Sequence, residues 1–323
     1  MLKDTKQRGR TKNSYALAWP EALPESAILM KGFTFVSDTF YSHTNLWHRL
    51  SAMVPFVGWS MKEDGIRPTR WVLFHRVEIQ DRMGSWLRQL METNFGHIHI
   101  EAFGDGDVPY CFEKASVMRH DRGRMGKEKK RQVFDLLRCK ARSFCGIEKK
   151  NVQDEDHHPV IRFIFLVRNG SRAFKNKTAV SKIFSDECGK VKGCTLKVAQ
   201  IEELSFCDQV RLLTNTDILA SPHGVQLTNM LFMDRNSSMM EFFPKGWKEL
   251  GGVGQFVYHW MAEMSRMRHH GAWWNPHREK DGLVAHNDTY FAEWPRGVLN
   301  NVRISKLEQI AKSSIAESKC VRL

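Results

Sequence analysis

The chain predicts an α/β protein of two lobes, and three observations carry that reading. Buried-strand runs alternate with helix-period segments, the rhythm of a doubly wound parallel sheet. One stretch, Asp217 to Pro244, shows the repeating unit whole: strand, sharp glycine corner, helix, strand. At 323 residues the chain is long enough for two such lobes with separate cores. The polar segment Asn151 to Pro159 has linker composition, so lobes are expected at 1–158 and 159–275, followed by a C-terminal segment at 276–323.

In the first lobe, residues 1 to about 27 lack periodicity and are expected to be extended or frayed. Ala27 to Val36 reads as a strand. Leu46 to Val57 reads as an apolar helix, with His43, Asn45 and His48 crowded around its start; cap or core roles compete there with a functional one. Thr69 to His75 is a second strand, Met83 to Met91 a helix, and His97 to Ala102 alternates as a third strand. Asp105-Gly106-Asp107 has the D-x-D form that holds a metal elsewhere, but it reads here as a polar turn, so no metal ligands are assigned. Tyr110 to Arg119 and a helix from Lys127 to Cys145 complete the lobe.

The second lobe opens with Ile161 to Val167, a near-continuous apolar run expected of a strand buried on both faces. Arg168 and Arg172 follow on a glycine-containing loop. Two guanidinium groups four residues apart can converge on one diphosphate, each gripping oxygens with a planar fork. A helix from Ala179 to Cys188, a strand from Thr195 to Ile201 and a helix from Leu204 to Leu213 come next. The strand Asp217 to Ser221 ends at the corner His223-Gly224. Val225, Leu227, Met230, Leu231 and Met233 then recur at helical spacing, and Ser238 to Phe243 is a further strand carrying Glu241. Ligands of such sheets lie beyond the carboxyl ends of the strands, and a helix start there favours phosphate. Trp260, Trp273 and Trp274 read as packing first and as a sugar platform second. Gly251 to Gly254 is no dinucleotide fingerprint, since no strand precedes it. Tyr290 to Val302 is interrupted by Pro295, and Ile304 to Glu317 reads as the last helix.

The net charge of +13 suits an acidic ligand such as a nucleotide diphosphate. The basic run Arg122 to Arg142 reads as a solvated helix face, because no zinc-finger, RNA-recognition or helix-turn-helix pattern accompanies it; no nucleic-acid partner is expected. No run of 18 apolar residues is present. Seven cysteines form no C-x-x-C pair, which argues against structural zinc. Cys188 and Cys194 can close a small loop by disulfide in a secretory lumen, with buried thiols as the alternative. Sequons stand at Asn169, Asn176, Asn236 and Asn287.

The segment SPHGVQLTNMLF followed by SSMMEFFP resembles the signature of glycosyltransferase family 61, in the form common among plant members. The resemblance implies a GT-B fold, two Rossmann-like lobes facing a cleft, with the first on the acceptor side, the second binding nucleotide sugar, and the C-terminal segment packing back on the first. It implies an inverting transfer of xylose, arabinofuranose or N-acetylglucosamine from a UDP-sugar to a glycan acceptor, expected to be a cell-wall polysaccharide. Arg168 and Arg172 match the family's R-x-x-x-R. With His223, Gly224 and Val225 they are expected to hold the donor diphosphate in place of a metal or cofactor, while Glu241 takes the ribose hydroxyls. Asn45-Leu46-Trp47-His48 resembles the family's N-x-[FW]-H, which places His43, Asn45 and Trp47 on the acceptor side and makes His48 the expected catalytic base. Ala52 stands where several branches have an Asp. Family members carry an N-terminal membrane anchor and work in the Golgi lumen; the polar, basic start of this chain, without an anchor, reads as a truncation. A donor-binding protein without turnover, and a basic nucleic-acid-binding module, are the alternatives.

Overall fold

The computed structural model describes residues 22–39, 45–62, 66–75, 78–80, 83–103, 108–119, 125–147, 158–170, 172–244, 247, 251–271 and 288–312. His43, the Asp105-Gly106-Asp107 turn, Trp273 and Trp274 lie outside these residues. The chain divides into two compact units, Met1–Val133 and Phe134–Arg322. The division falls within a helix, Lys127–Phe144, rather than at the polar segment ending at Pro159 that the sequence suggests. Among the described residues no helix is long and apolar enough to cross a membrane.

The first unit is built on β1 (Ile28–Thr39), which lies between β2 (Arg70–His75) and β5 (Tyr110–Arg119) and runs parallel to both. β3 (Glu78–Gln80) and β4 (His99–Ile100) share the far edge of β2, the first antiparallel and the second parallel. The third strand expected over His97 to Ala102 is thus only a two-residue pairing. Helices α1 (Leu46–Ser60) and α2 (Ser85–Phe95) supply the cover. Trp71 is 1% exposed and meets Phe35, Phe56 and Phe95 edge-on at ring separations of 4.6, 4.8 and 5.9 Å. Offset aromatic contacts of this kind add to area burial and fix the core.

The second unit carries a fully parallel sheet in the order β10, β9, β8, β6, β7. These strands are β6 (Ile161–Leu166), β7 (Cys194–Ala199), β8 (Ile218–Pro222), β9 (Ser238–Phe242) and β10 (Arg268–Gly271). Every residue of β8 and β9 is buried, as continuous apolar runs in a parallel sheet demand. Edge strand β7 alternates instead, leaving Val198 44% exposed. Helices α3 (Lys127–Phe144), α4 (Lys177–Gly189), α5 (Phe206–Thr214), α6 (Val257–Met264) and α7 (Asp288–Lys312) complete the chain. Two sheets, one parallel throughout and one parallel but for β3, flanked by helices, make this the Rossmann-like architecture of GT-B proteins.

Two elements differ from the sequence reading. Val225–Phe232 winds as a 3₁₀ helix, with i to i−3 bonds such as Leu227 N–H to Gly224 O at 3.0 Å, and Gln226 to Phe232 are all buried. α7 runs on through Pro295, whose ring sits in its second turn. In its described part Val298, Leu299 and Val302 join Phe163, Phe184 and Phe242 in one core. Polar ties hold it there, Arg296 to Glu187 at 2.9 and 3.0 Å and Lys306 Nζ to Asp217 at 2.7 Å. Disulfides join Cys145 to Cys207 and, as the spacing suggests, Cys188 to Cys194.

Candidate functional site

β6 has β7 on one side and β8 on the other, so the strand order reverses between β6 and β8. The carboxyl ends beside such a reversal form the crevice where open α/β sheets bind ligands. Arg168 follows β6 and His223 follows β8, so the topology itself brings these two loops together. Arg168 Nη1 donates to His223 O at 3.1 Å, and His223 N–H donates to Phe242 O at 2.8 Å. Gln226, 2% exposed, braces the corner by donating to Ser221 Oγ at 3.1 Å and Pro222 O at 2.9 Å. Gly224 has an extended backbone that any residue could adopt. Its requirement is space: a Cβ there would lie 2.0 Å from Arg168 Nη1 and 2.4 Å from Gln226 Oε1. The first amides of the 3₁₀ helix, at Val225 and Gln226, have no partner within it.

The electrostatics of the corner are one-sided. Among the described residues neither Arg168 nor Arg172 has a carboxylate within ion-pair distance. Burial, then the charge of Arg172, push the Arg168 guanidinium below its ordinary value. Arg172 lies over the ring of Trp247, its Cζ 5.4 Å from the centroid. Two neighbouring cations, with no carboxylate in ion-pair reach among the described residues, are an arrangement that an anion stabilises.

Behind the corner, sheet register places three side chains on one face. Glu241 pairs with Ser221 on one side and Gly271 on the other. His223 and His269 stand two residues from those partners, and a strand's side-chain period is two. The result is a bridge: His223 Nδ1 lies 2.5 Å from Glu241 Oε1, and His269 Nε2 lies 2.6 Å from Oε2. Glu241 is fully buried, which raises its carboxyl above the usual range against the pull of His223. Burial holds His269 down to about 4, and burial with His269 and Arg268 holds His270 to about 4. The His223 ring is packed by Trp247, Tyr258 and Phe243 at 4.8, 5.3 and 5.5 Å. Burial raises the Tyr258 phenol.

Glu241, expected at the ribose hydroxyls, has both its oxygens facing imidazole nitrogens inside the protein in this structure. Trp247, Tyr258 and His269 are new to the site. The period-two register of β10 would have revealed His269, had a four-residue strand of sequence RHHG been recognisable.

In the first unit, Asn45 caps α1, its Oδ1 accepting from Trp47 N–H at 2.9 Å and His48 N–H at 3.4 Å. That spends the acceptor expected to face a glycan. Trp47 and His48 are half-buried in the first turn. Ala52 is on the buried face of α1 at 9% exposure, where an Asp would have to be desolvated. Glu101 lies 3.3 Å from Arg70. Among the described residues no group of three or more His, Cys, Asp or Glu could hold a metal ion.

The profile described as Glycosyltransferase 61 matches residues 23–240. A Xenopus laevis protein named protein O-linked-mannose beta-1,4-N-acetylglucosaminyltransferase 2 is 30% identical over 114 residues, 35% of this chain and 18% of its own length. The Xenopus tropicalis protein of the same name is 25% identical over 166 residues, 51% of this chain and 27% of that one. The human one is 43% identical over 44 residues, 14% of this chain and 8% of its own. The matched part of the chain thus spans less than a third of these relatives.

Proposed function

This chain belongs to glycosyltransferase family 61, and from that premise we propose that it transfers a sugar from a UDP-sugar to a glycan hydroxyl with inversion at the anomeric carbon. The observation that supports this most is the pair Arg168 and Arg172, cations without carboxylate partners among the described residues, at the reversal point of a parallel sheet. As the glycosidic bond to the nucleotide breaks, the departing diphosphate gathers negative charge. Preorganised donors aimed at that charge lower the barrier. Arg168, Arg172, the His223 ring and the amides after Gly224 are those donors, and they serve without a divalent metal. The acceptor hydroxyl loses its proton to His48, whose ordinary titration range suits a general base.

The names of the relatives make N-acetylglucosamine the first donor to test and O-linked mannose the first acceptor. Xylose or arabinofuranose passed to a cell-wall glycan is the competing assignment, from the plant-like form of the signature. The disulfides fit an oxidising lumen, and the Golgi is the proposed compartment. A protein that binds donor without turnover is a second reading, favoured by Ala52 where some branches have an Asp.

Thermal melts with UDP, with and without chelator, test the donor site. Ligand at ~100-fold its Kd adds about 2.7 kcal/mol of stability, a shift of several degrees. An equal rise in both conditions is expected. No rise with either would overturn the donor assignment, and a rise only with manganese would overturn metal independence.

A further inference from the structure

Glu241 and His269 are buried ionisable groups for which the transfer has no direct use. We infer that they are positioning residues for His223: they hold Nδ1–H on the carboxylate and Nε2 toward the donor diphosphate, and they let the ring take up a proton as the diphosphate arrives. This rests on the reading of the corner as a diphosphate site.

The geometry argues it in three steps. First, a fully buried carboxylate has an imidazole nitrogen at 2.5 Å on one oxygen and at 2.6 Å on the other. Each ring can give it one N–H, which satisfies the charge and fixes both tautomers. Second, the remaining nitrogen of His223, Nε2, is hydrogen-bonded to no described residue. Third, Trp247, Phe243 and Tyr258 pack around the ring, so it cannot turn to exchange its two nitrogens without displacing them.

The charges around the bridge identify where a proton can go. Arg168 and Arg172 from the loop after β6 are already cationic. Tyr258 on α6 is held neutral by burial. His259 on α6 faces His269 at 5.3 Å, with Glu263 on the same helix, and burial pushes it toward the neutral form. On β10, burial keeps His269 and His270 neutral at pH 7, and Arg268 adds to the effect on His270. Glu202 acts on Arg168 from farther off. Burial raises the Glu241 carboxyl, but each of its oxygens already faces an imidazole nitrogen, which leaves His223 Nε2. A proton drawn from solvent onto it creates an imidazolium balanced by Glu241 behind and by phosphate oxygen in front. No bond other than N–H forms or breaks.

Calorimetric titration of the full chain with UDP-N-acetylglucosamine, in buffers of different ionisation enthalpy, counts that proton. The diphosphate diester of this probe does not titrate near neutral pH, so any proton counted belongs to the protein. The expected result is uptake of about one proton per donor bound above pH 7, with affinity falling about tenfold per pH unit. Glu241→Gln should abolish the uptake and weaken binding. His269→Gln, which can still give an N–H to Glu241, should retain it. His270→Asn should leave it unchanged. Histidine ¹⁵N spectra of the unmutated protein test the same point without a substitution: His223 should be protonated at Nδ1 alone without donor and at both nitrogens with it. Binding whose heat is independent of buffer, or uptake that survives His223→Gln, would overturn the inference while leaving the diphosphate site standing. Failure of both this probe and UDP to bind would overturn the site itself.

Discussion

His223 and His48 are the two histidines to which chemistry is assigned, and they are held in opposite ways. His48 sits in the first turn of α1, where Asn45, three residues away, caps the helix. His223 is held across the sheet by Glu241, 18 residues on, and through it by His269, 46 residues on. A ring fixed by local hydrogen bonds can be repositioned by a change in its own turn. A ring fixed by three strands cannot move unless the sheet does. Leaving-group stabilisation asks for the second kind of rigidity, because a preorganised donor pays no reorganisation when charge develops.

The sharpest way to separate the two is to remove each function alone. His48→Ala is expected to lower transfer roughly 10²- to 10⁴-fold and leave the UDP dissociation constant unchanged. Retained turnover would assign the base elsewhere. Arg172→Ala should raise the UDP dissociation constant by roughly ten- to a hundredfold, the loss of about 1.5–3 kcal/mol of charge-assisted hydrogen bonding. Equal affinity in that variant would sever Arg172 from the donor.

Acid provides a third contrast. His269 and His270 are held to about 4 by burial, below the ordinary 6.5. Between those values the unfolded chain binds protons that the folded one refuses. The stability they contribute is therefore complete above pH 6.5 and is lost as pH falls toward 4. Melting of the second unit should track that window, and His270→Phe should flatten it. The smallest effect belongs to the local device: Asn45→Ala removes a cap worth about 1 kcal/mol, a lower melting temperature with donor affinity intact.

This contrast also explains what the sequence disclosed. The corner was legible because each of its parts is a short local pattern: a buried run, an arginine pair four residues apart, a glycine corner after a strand. The sheet was legible because strands buried on both faces are continuous apolar runs. The bridge was not, because β10 is four polar residues long and His269 acquires meaning only from its register against β9. Glu241 was found as a residue but its imidazole partners were not, since nothing in sequence says whether a carboxylate at a strand end faces solvent or two imidazoles. Pro295 misled in a similar way. It reads as a helix stop, yet α7 continues past it with three apolar residues buried beyond.

α7 also determines how much of this chain counts as a folding unit. The family match ends at Met240, inside β9. A polypeptide cut there would lose the rest of β9, all of β10 and the helix that closes over Phe163, Phe184 and Phe242. It would keep Arg168, Arg172 and His223 but lose Glu241 and His269, and its sheet would lie open to water along a face of aromatic rings. The region by which ancestry is recognised is therefore shorter than the region that must fold, and the difference holds the two residues on which His223 leans.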